Sequence, residues 1–138
     1  MLVSMDLTLP REAGFVRVMR DVAGEILTQL NASEKDVADI RLAVTEACAN
    51  AVRHASGTHK YRIHLEVGER SCLVEVIDVG PGFGDLPAAL ESEEADPEDE
   101  TGRGLYLMRA LVDDLDFIRE GESNTVKLVK RWEPVEGS

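Results

Sequence analysis

The chain has 138 residues, 43% of them hydrophobic, which suits one globular domain with a core of its own. Its formal net charge of −12 weighs against binding a nucleic-acid phosphate backbone or an anionic membrane surface. No apolar run reaches the length of a membrane span and no signal-peptide pattern opens the chain, so a cytoplasmic protein is expected.

Met5 to Leu9 alternates apolar and polar residues and stops at Pro10, the pattern of a short edge strand. Arg11 to Leu30 is expected to be helical. Phe15, Val18, Met19, Val22, Ile26, Leu27 and Leu30 would form its apolar side, and Asn31-Ala32 its break. Ser33 and Asp36 read as an N-cap and an acidic first turn for a second helix, which runs to about Ala55. Tyr61 to Val67, the turn Gly68-Glu69-Arg70-Ser71 and Cys72 to Val79 make a hairpin. Cys48 and Cys72 stand at apolar positions of helix and strand and read as small buried hydrophobes. A stretch of glycines and prolines follows, then an acidic run. Gly104 to Val112 is expected to be helical, entered through Gly102-Arg103-Gly104. Leu115 to Arg119 and Thr125 to Arg131 are strands joined by a turn at Gly121-Glu122-Ser123-Asn124, and the residues after them read as a frayed tail. No repeat and no interdomain linker is visible. The fold class expected is α+β, a two-layer α/β sandwich with helices packed on one face of a mixed, mostly antiparallel sheet, in a single domain over 1–138.

Three groups of residues stand out chemically. In the second helix Glu46, Asn50 and His54 fall at i, i+4 and i+8, along one side, while Val37, Ile40, Val44, Cys48, Ala51 and Ala55 occupy another. The row is either a solvated face or a row aimed at something polar. Asp78-Val79-Gly80-Pro81-Gly82-Phe83-Gly84 puts a carboxylate at the end of an apolar strand, followed by alternate glycines. That is either an ordinary turn or a flat-ligand pocket whose carboxylate accepts from an exocyclic amine. Thr101-Gly102-Arg103-Gly104-Leu105 leads into a helix whose free amides and dipole suit phosphate oxygens, with Arg103 as a cation beside them.

In this order the three boxes resemble the GHKL ATPase superfamily of histidine-kinase, gyrase, MutL and Hsp90-type ATPases, with the Bergerat fold. The closer resemblance is to the RsbW-like anti-sigma-factor serine kinases. It covers almost the whole chain, through Pro10 after the opening strand, "LAVTEACANAVRHA", "VIDVGPGFG" and "GRGLYLMRALVDDLDF". The resemblance implies ATP and Mg²⁺ as cofactors. It implies that Asn50 ligates Mg²⁺, that Glu46 is the general base for a substrate hydroxyl, and that Asp78 reads adenine in a pocket shaped by Gly80 and Gly82. Gly102, Arg103, Gly104 and Leu105 would hold the phosphates, and His54 would either support the helix end or join the site. It further implies a homodimer whose partners are a sigma factor and a STAS-domain anti-sigma-factor antagonist, in stress-linked transcription control, with no direct contact to nucleic acid or membrane.

The window of the ATP lid, about 85–102, departs from that pattern. Between Arg70 and Arg103 there is no Lys or Arg but there are ten acids, seven of them from Glu91 to Glu100. Such a segment either solvates its charges outward or holds itself open by self-repulsion until Mg²⁺-ATP arrives. Arg11, Arg17 and Arg20 cluster around the first helix and are expected either to be solvated or to attract an acidic partner. Two other functions fit the same boxes. One is a nucleotide-gated protein-binding module without kinase activity; the other is a switch kinase acting on STAS scaffolds without binding sigma.

Overall fold

A computed structural model describes residues 2–53, 60–79 and 100–135, with side chains of the last segment from 106 onward. The elements among them are β1 (Val3–Pro10), α1 (Ala13–Gln29), α2 (Glu34–Arg53), β2 (Lys60–Val67), β3 (Ser71–Val79), α3 (Glu100–Leu111), β4 (Asp114–Glu120) and β5 (Ser123–Arg131). The strands form one sheet in the order β1-β2-β3-β5-β4. This is the expected α+β class, and β1 is an edge strand as its alternation predicts. Every described pairing is antiparallel, which corrects the expectation of a mixed sheet. The reason is the crossover through α3. It carries the chain past β3 so that β5 fills the gap, and the successive strands β3 and β4, which run the same way, are not neighbours.

Alternation sorts the sheet into two faces. Tyr61, Ile63, Leu65 and Val67 of β2 are buried, as are Cys72, Val74 and Val76 of β3 and Val126 and Leu128 of β5. Against this face packs α2, which also touches α1 and α3. Both cysteines are free and buried, and burial pushes each thiol up to about 12.

Local signals explain the helix ends. Ser33 caps α2: its Oγ accepts from the Asp36 amide at 3.0 Å and donates to Asp36 Oδ2 at 2.9 Å. Asn31 terminates α1 at φ 60°, a left-handed conformation that Asn tolerates. Around it the Asn31 amide reaches the Thr28 carbonyl and the Ala32 amide the Leu27 carbonyl, each at 3.1 Å, which is a Schellman closure. The two-residue turn Gly121-Glu122 joins β4 to β5 with Gly121 at φ 61°, a left-handed conformation that glycine adopts without steric cost.

Three expectations are corrected here. The core face of α1 is Val16, Met19, Ala23 and Leu27, whereas Phe15 is 37% and Val18 49% exposed. The apolar stripe is wider than the contact with α2, so periodicity alone could not choose between its two edges. The C-terminal segment is not frayed through Val135: Trp132 is buried and its amide bonds the Arg70 carbonyl at 3.0 Å, and the Val135 amide bonds the Asn31 carbonyl at 2.7 Å. Burial of one large indole holds that stretch down. Finally, α3 begins at Glu100, not Gly104, so the glycines lie within its first turns rather than ahead of them. The expected lid lies outside the described residues as far as residue 99.

Where α1 crosses α2, Gly24 is buried under the Arg41 side chain. A Cβ at position 24 would fall 2.8 Å from Arg41 Cγ and 2.9 Å from its Cδ. These are stem atoms, so the arginine cannot yield by moving its tip alone. Gly24→Ala is therefore expected to destabilise the fold by about 1–3 kcal/mol despite the better helix propensity of Ala. Urea denaturation of the two proteins measures it.

Candidate functional site

The chemistry-bearing row of α2 lies beside its most tightly packed stripe. Ala43, Ala47 and Ala51 face the core at no more than 4% exposure. One position before two of them stand Glu46 and Asn50. Asn50 is itself buried, at 6% exposure, and its Oδ1 accepts from Arg53 Nη2 at 3.1 Å. A buried amide oxygen already turned to a cation is a donor set that a hard cation can use. Among the described residues no group of three or more His, Cys, Asp or Glu could hold a metal. Glu46 is half-buried, and among the described residues none hydrogen-bonds or ion-pairs with it.

The second part of the site comes from strand register. Asp78 of β3 is opposite Asn124 of β5, which is opposite Arg119 of β4. Their side chains form a row across three strands. Arg119 Nη1 donates to Asn124 Oδ1 at 2.7 Å, and Asn124 Nδ2 donates to Asp78 Oδ1 at 3.2 Å. The guanidinium fixes which way the amide points, and the amide then fixes the carboxylate. The other Asp78 oxygen faces Arg11, whose Nη1 is 4.0 Å from Oδ2 and donates to the Ala51 carbonyl at 2.6 Å. Arg11 therefore joins the end of α2 to the end of β3.

Of the residues expected in the site, Asp78 is linked through Arg11 to the turn of α2 that holds Asn50, and Glu46 stands one turn earlier on that helix. His54, Gly80 and Gly82 lie outside the described residues. Gly102, Arg103, Gly104 and Leu105 belong to the first turns of α3, and their side chains are outside the described set. Four participants escaped sequence reasoning: Arg11, Arg53, Asn124 and Arg119. Asn124 and Arg119 had a legible signal only if the β4–β5 register were known. Arg11 was expected as a surface charge; its side chain is 8% exposed, which corrects that expectation. The Ala51 carbonyl and the Asp78 carboxylate draw it inside. Arg17 is exposed, and Arg20 pairs with Asp21 at 3.3 Å.

A hollow of about 470 Å³ reaches Asp78, lined by Thr8, Arg62, Ile77 and Val79 among others. Tyr61, which is buried, and Asp78 line it as well.

Comparison with known proteins gives a consistent result. The family of the histidine kinase-like ATPase domain matches residues 9–130. The serine-protein kinase RsbW of Bacillus velezensis is 30% identical over 135 residues, covering 91% of this chain and 84% of that one. RsbW of Halalkalibacterium halodurans is 32% identical over 124 residues, covering 83% of this chain and 75% of that one. Among solved structures, the RsbU and RsbW domains of a Mycobacterium tuberculosis protein match with a TM-score of 0.70 at 22% identity over 94% of this chain. This chain spans 32% of that solved chain, and the likeness is one of fold.

The row across the sheet predicts a specific cost. Asn124 is 5% exposed, so Asn124→Leu fits its volume but leaves Asp78 and Arg119 without their shared amide. The expected destabilisation is about 1–3 kcal/mol. Thermal unfolding with Asn124→Leu beside an Asp78→Asn/Asn124→Leu pair measures how much of it comes from the carboxylate.

Proposed function

The chain belongs to the histidine kinase-like ATPase domain family and, within it, to the RsbW serine-protein kinases; from that premise we propose that it is a cytoplasmic anti-sigma factor and protein serine/threonine kinase. In this reading the whole chain is one ATPase domain that holds a sigma factor and phosphorylates a STAS-domain antagonist. The observation that supports it best is that Arg11 links Asp78 to the Ala51 carbonyl, next to Asn50 and in the helix that carries Glu46 one turn earlier.

Each residue has a separable task. Asp78, fixed by Asn124, accepts from the exocyclic amine of adenine. Asn50 supplies one oxygen to Mg²⁺, with Arg53 turning away to release it. Mg²⁺ when bound offsets charge on the phosphate oxygens. Gly102, Arg103, Gly104 and Leu105 take the phosphates, Gly102 and Arg103 through N–H groups of the first turn of α3, which lack an intrahelical partner, and Gly104 and Leu105 from the turn that follows. Glu46 faces the incoming hydroxyl. As the serine oxygen bonds to the γ-phosphorus and the bond to the ADP oxygen breaks, the hydroxyl proton passes to the Glu46 carboxylate. A carboxylate suits that task. A module that only binds nucleotide has no need of one. No described helix is long and apolar enough to cross a membrane.

The test separates binding from transfer. Asp78→Asn presents the wrong donor pattern to adenine, and its affinity for a non-hydrolysable ATP analogue is expected to fall by about 1.5–3 kcal/mol. Glu46→Gln is expected to keep nucleotide and both protein partners while single-turnover transfer of γ-phosphate to purified antagonist falls by about 10²–10⁴-fold. Wild-type transfer in Glu46→Gln would remove the general-base assignment. A wild-type protein that binds ATP and sigma but never phosphorylates a STAS partner would favour the nucleotide-gated module. One that phosphorylates STAS scaffolds and ignores sigma would favour the switch kinase.

Homodimerisation belongs to the same reading. Phe15 and Val18 expose an apolar strip on α1 at 37% and 49%, beyond what packing against α2 uses. Sedimentation at micromolar concentration is expected to show twice the monomer mass. Phe15→Glu should return the monomer while leaving the fold intact.

A further inference from the structure

Arg11 stands between Pro10, the last residue of β1, and Ala13, the first of α1. A cation at such a junction ordinarily extends into water, above all in a chain of net charge −12. Here the side chain is 8% exposed. Its Nη1 donates to the Ala51 carbonyl at 2.6 Å and lies 4.0 Å from Asp78 Oδ2.

The two acceptors share a physical character and differ in what they carry. The Ala51 carbonyl is in the last described turn of α2, toward the end where the helix dipole is negative. Its neighbour in sequence is Asn50. The Asp78 carboxylate ends β3, and its Oδ1 is already held by Asn124 at 3.2 Å. One nitrogen, Nη1, hydrogen-bonds the carbonyl and lies within ion-pair range of the carboxylate. A lysine would keep the charge but not the planar donor set. Arg11 thus ties the turn that carries Asn50 to Asp78, and its charge draws Oδ2 toward α2 while Asn124 holds Oδ1.

We infer that Arg11 is a positioning residue for the purine: it holds the Asp78 carboxylate so that it accepts from a 6-amino group and turns away a 6-oxo group. The inference rests on the reading of Asp78 as the adenine contact. Arg11 itself touches neither base nor phosphate. Its effect on nucleotide passes through Asp78, and that route is what distinguishes it from a residue that only stabilises the fold.

The experiment uses the full chain and two non-hydrolysable probes, an ATP analogue and the matching inosine triphosphate analogue, titrated by calorimetry. The proteins are wild type, Arg11→Met, Arg11→Lys, Asp78→Asn and the Arg11→Met/Asp78→Asn double variant, each checked for folding by circular dichroism. Arg11→Met is expected to weaken the ATP analogue by about tenfold, the size of one charge-assisted contact. Its preference for ATP over the inosine analogue should narrow, and Arg11→Lys should recover part of both. In the Asp78→Asn background Arg11→Met should change affinity little, because residues acting through one another are not additive. Wild-type affinity and preference in Arg11→Met would overturn the inference. So would full additivity with Asp78→Asn, or a loss of affinity with unchanged base preference. Should Arg11→Met fail to fold, Arg11→Lys carries the comparison, and a wild-type preference there counts against the inference. A wild type that binds neither analogue removes the nucleotide reading itself; a wild type that binds while the variants do not respond removes only the role of Arg11.

Discussion

The close seating of α2 on the sheet is the constraint on which the rest depends. Ala43, Ala47 and Ala51 recur every four residues along it, and none is more than 4% exposed. Small side chains let a helix approach its neighbours closely, and α2 touches α1, α3, β3 and β5. Glu46 and Asn50 each precede one of these alanines. They therefore stand at the margin of the tightest packing in the molecule, on a helix that cannot roll without opening the core. An amide and a carboxylate on a loop would lack that fixity.

Cations hold the same helix at both ends. At its start, Lys130 of β5 is 9% exposed and donates to Asp39 Oδ2 at 3.3 Å and to the Leu111 carbonyl at the end of α3 at 2.9 Å, with Asp36 3.6 Å away. Burial raises the Asp39 carboxyl, but hydrogen bonds from Lys35 and Lys130 outweigh it and hold the group below its ordinary value. At the other end Arg11 joins Ala51 to Asp78. Buried ion pairs contribute less to stability than their Coulomb attraction suggests, because both charges lose water. Their effect here is geometric: they set where α2 begins and ends relative to β5, α3 and β3. An acidic chain thus keeps two of its few cations for internal registration.

That registration suits a reaction in which positioning outweighs covalent chemistry. In the proposed reading Asp78 reads the base from a strand while Asn50 and Glu46 act from a helix, so the two halves of the ligand would be held by different layers. Any error between the layers becomes an error in where the γ-phosphate meets the hydroxyl. Tying the layers through one guanidinium limits that error without placing another group against the substrate.

Periodicity and punctuation determined the elements, since both are local. The alternation of Tyr61 to Val67, the Ser33 cap and the Asn31 break each fix a few neighbouring dihedrals, and the structure follows them. The order of the three boxes was legible for the same reason: Glu46, Asn50 and Asp78 are identified by spacing within one helix and one strand. What the sequence left open is whatever depends on which strands adjoin. The all-antiparallel sheet follows from β5 lying between β3 and β4, and the row Asp78–Asn124–Arg119 exists only in that register. The choice between the two edges of the apolar stripe on α1 depended on how α2 lies against it. Arg11 is the clearest case. In sequence it is one charge among three near the first helix, and its burial is decided by a carbonyl forty residues later and a carboxylate in the third strand, groups that only the folded chain brings within reach of one side chain.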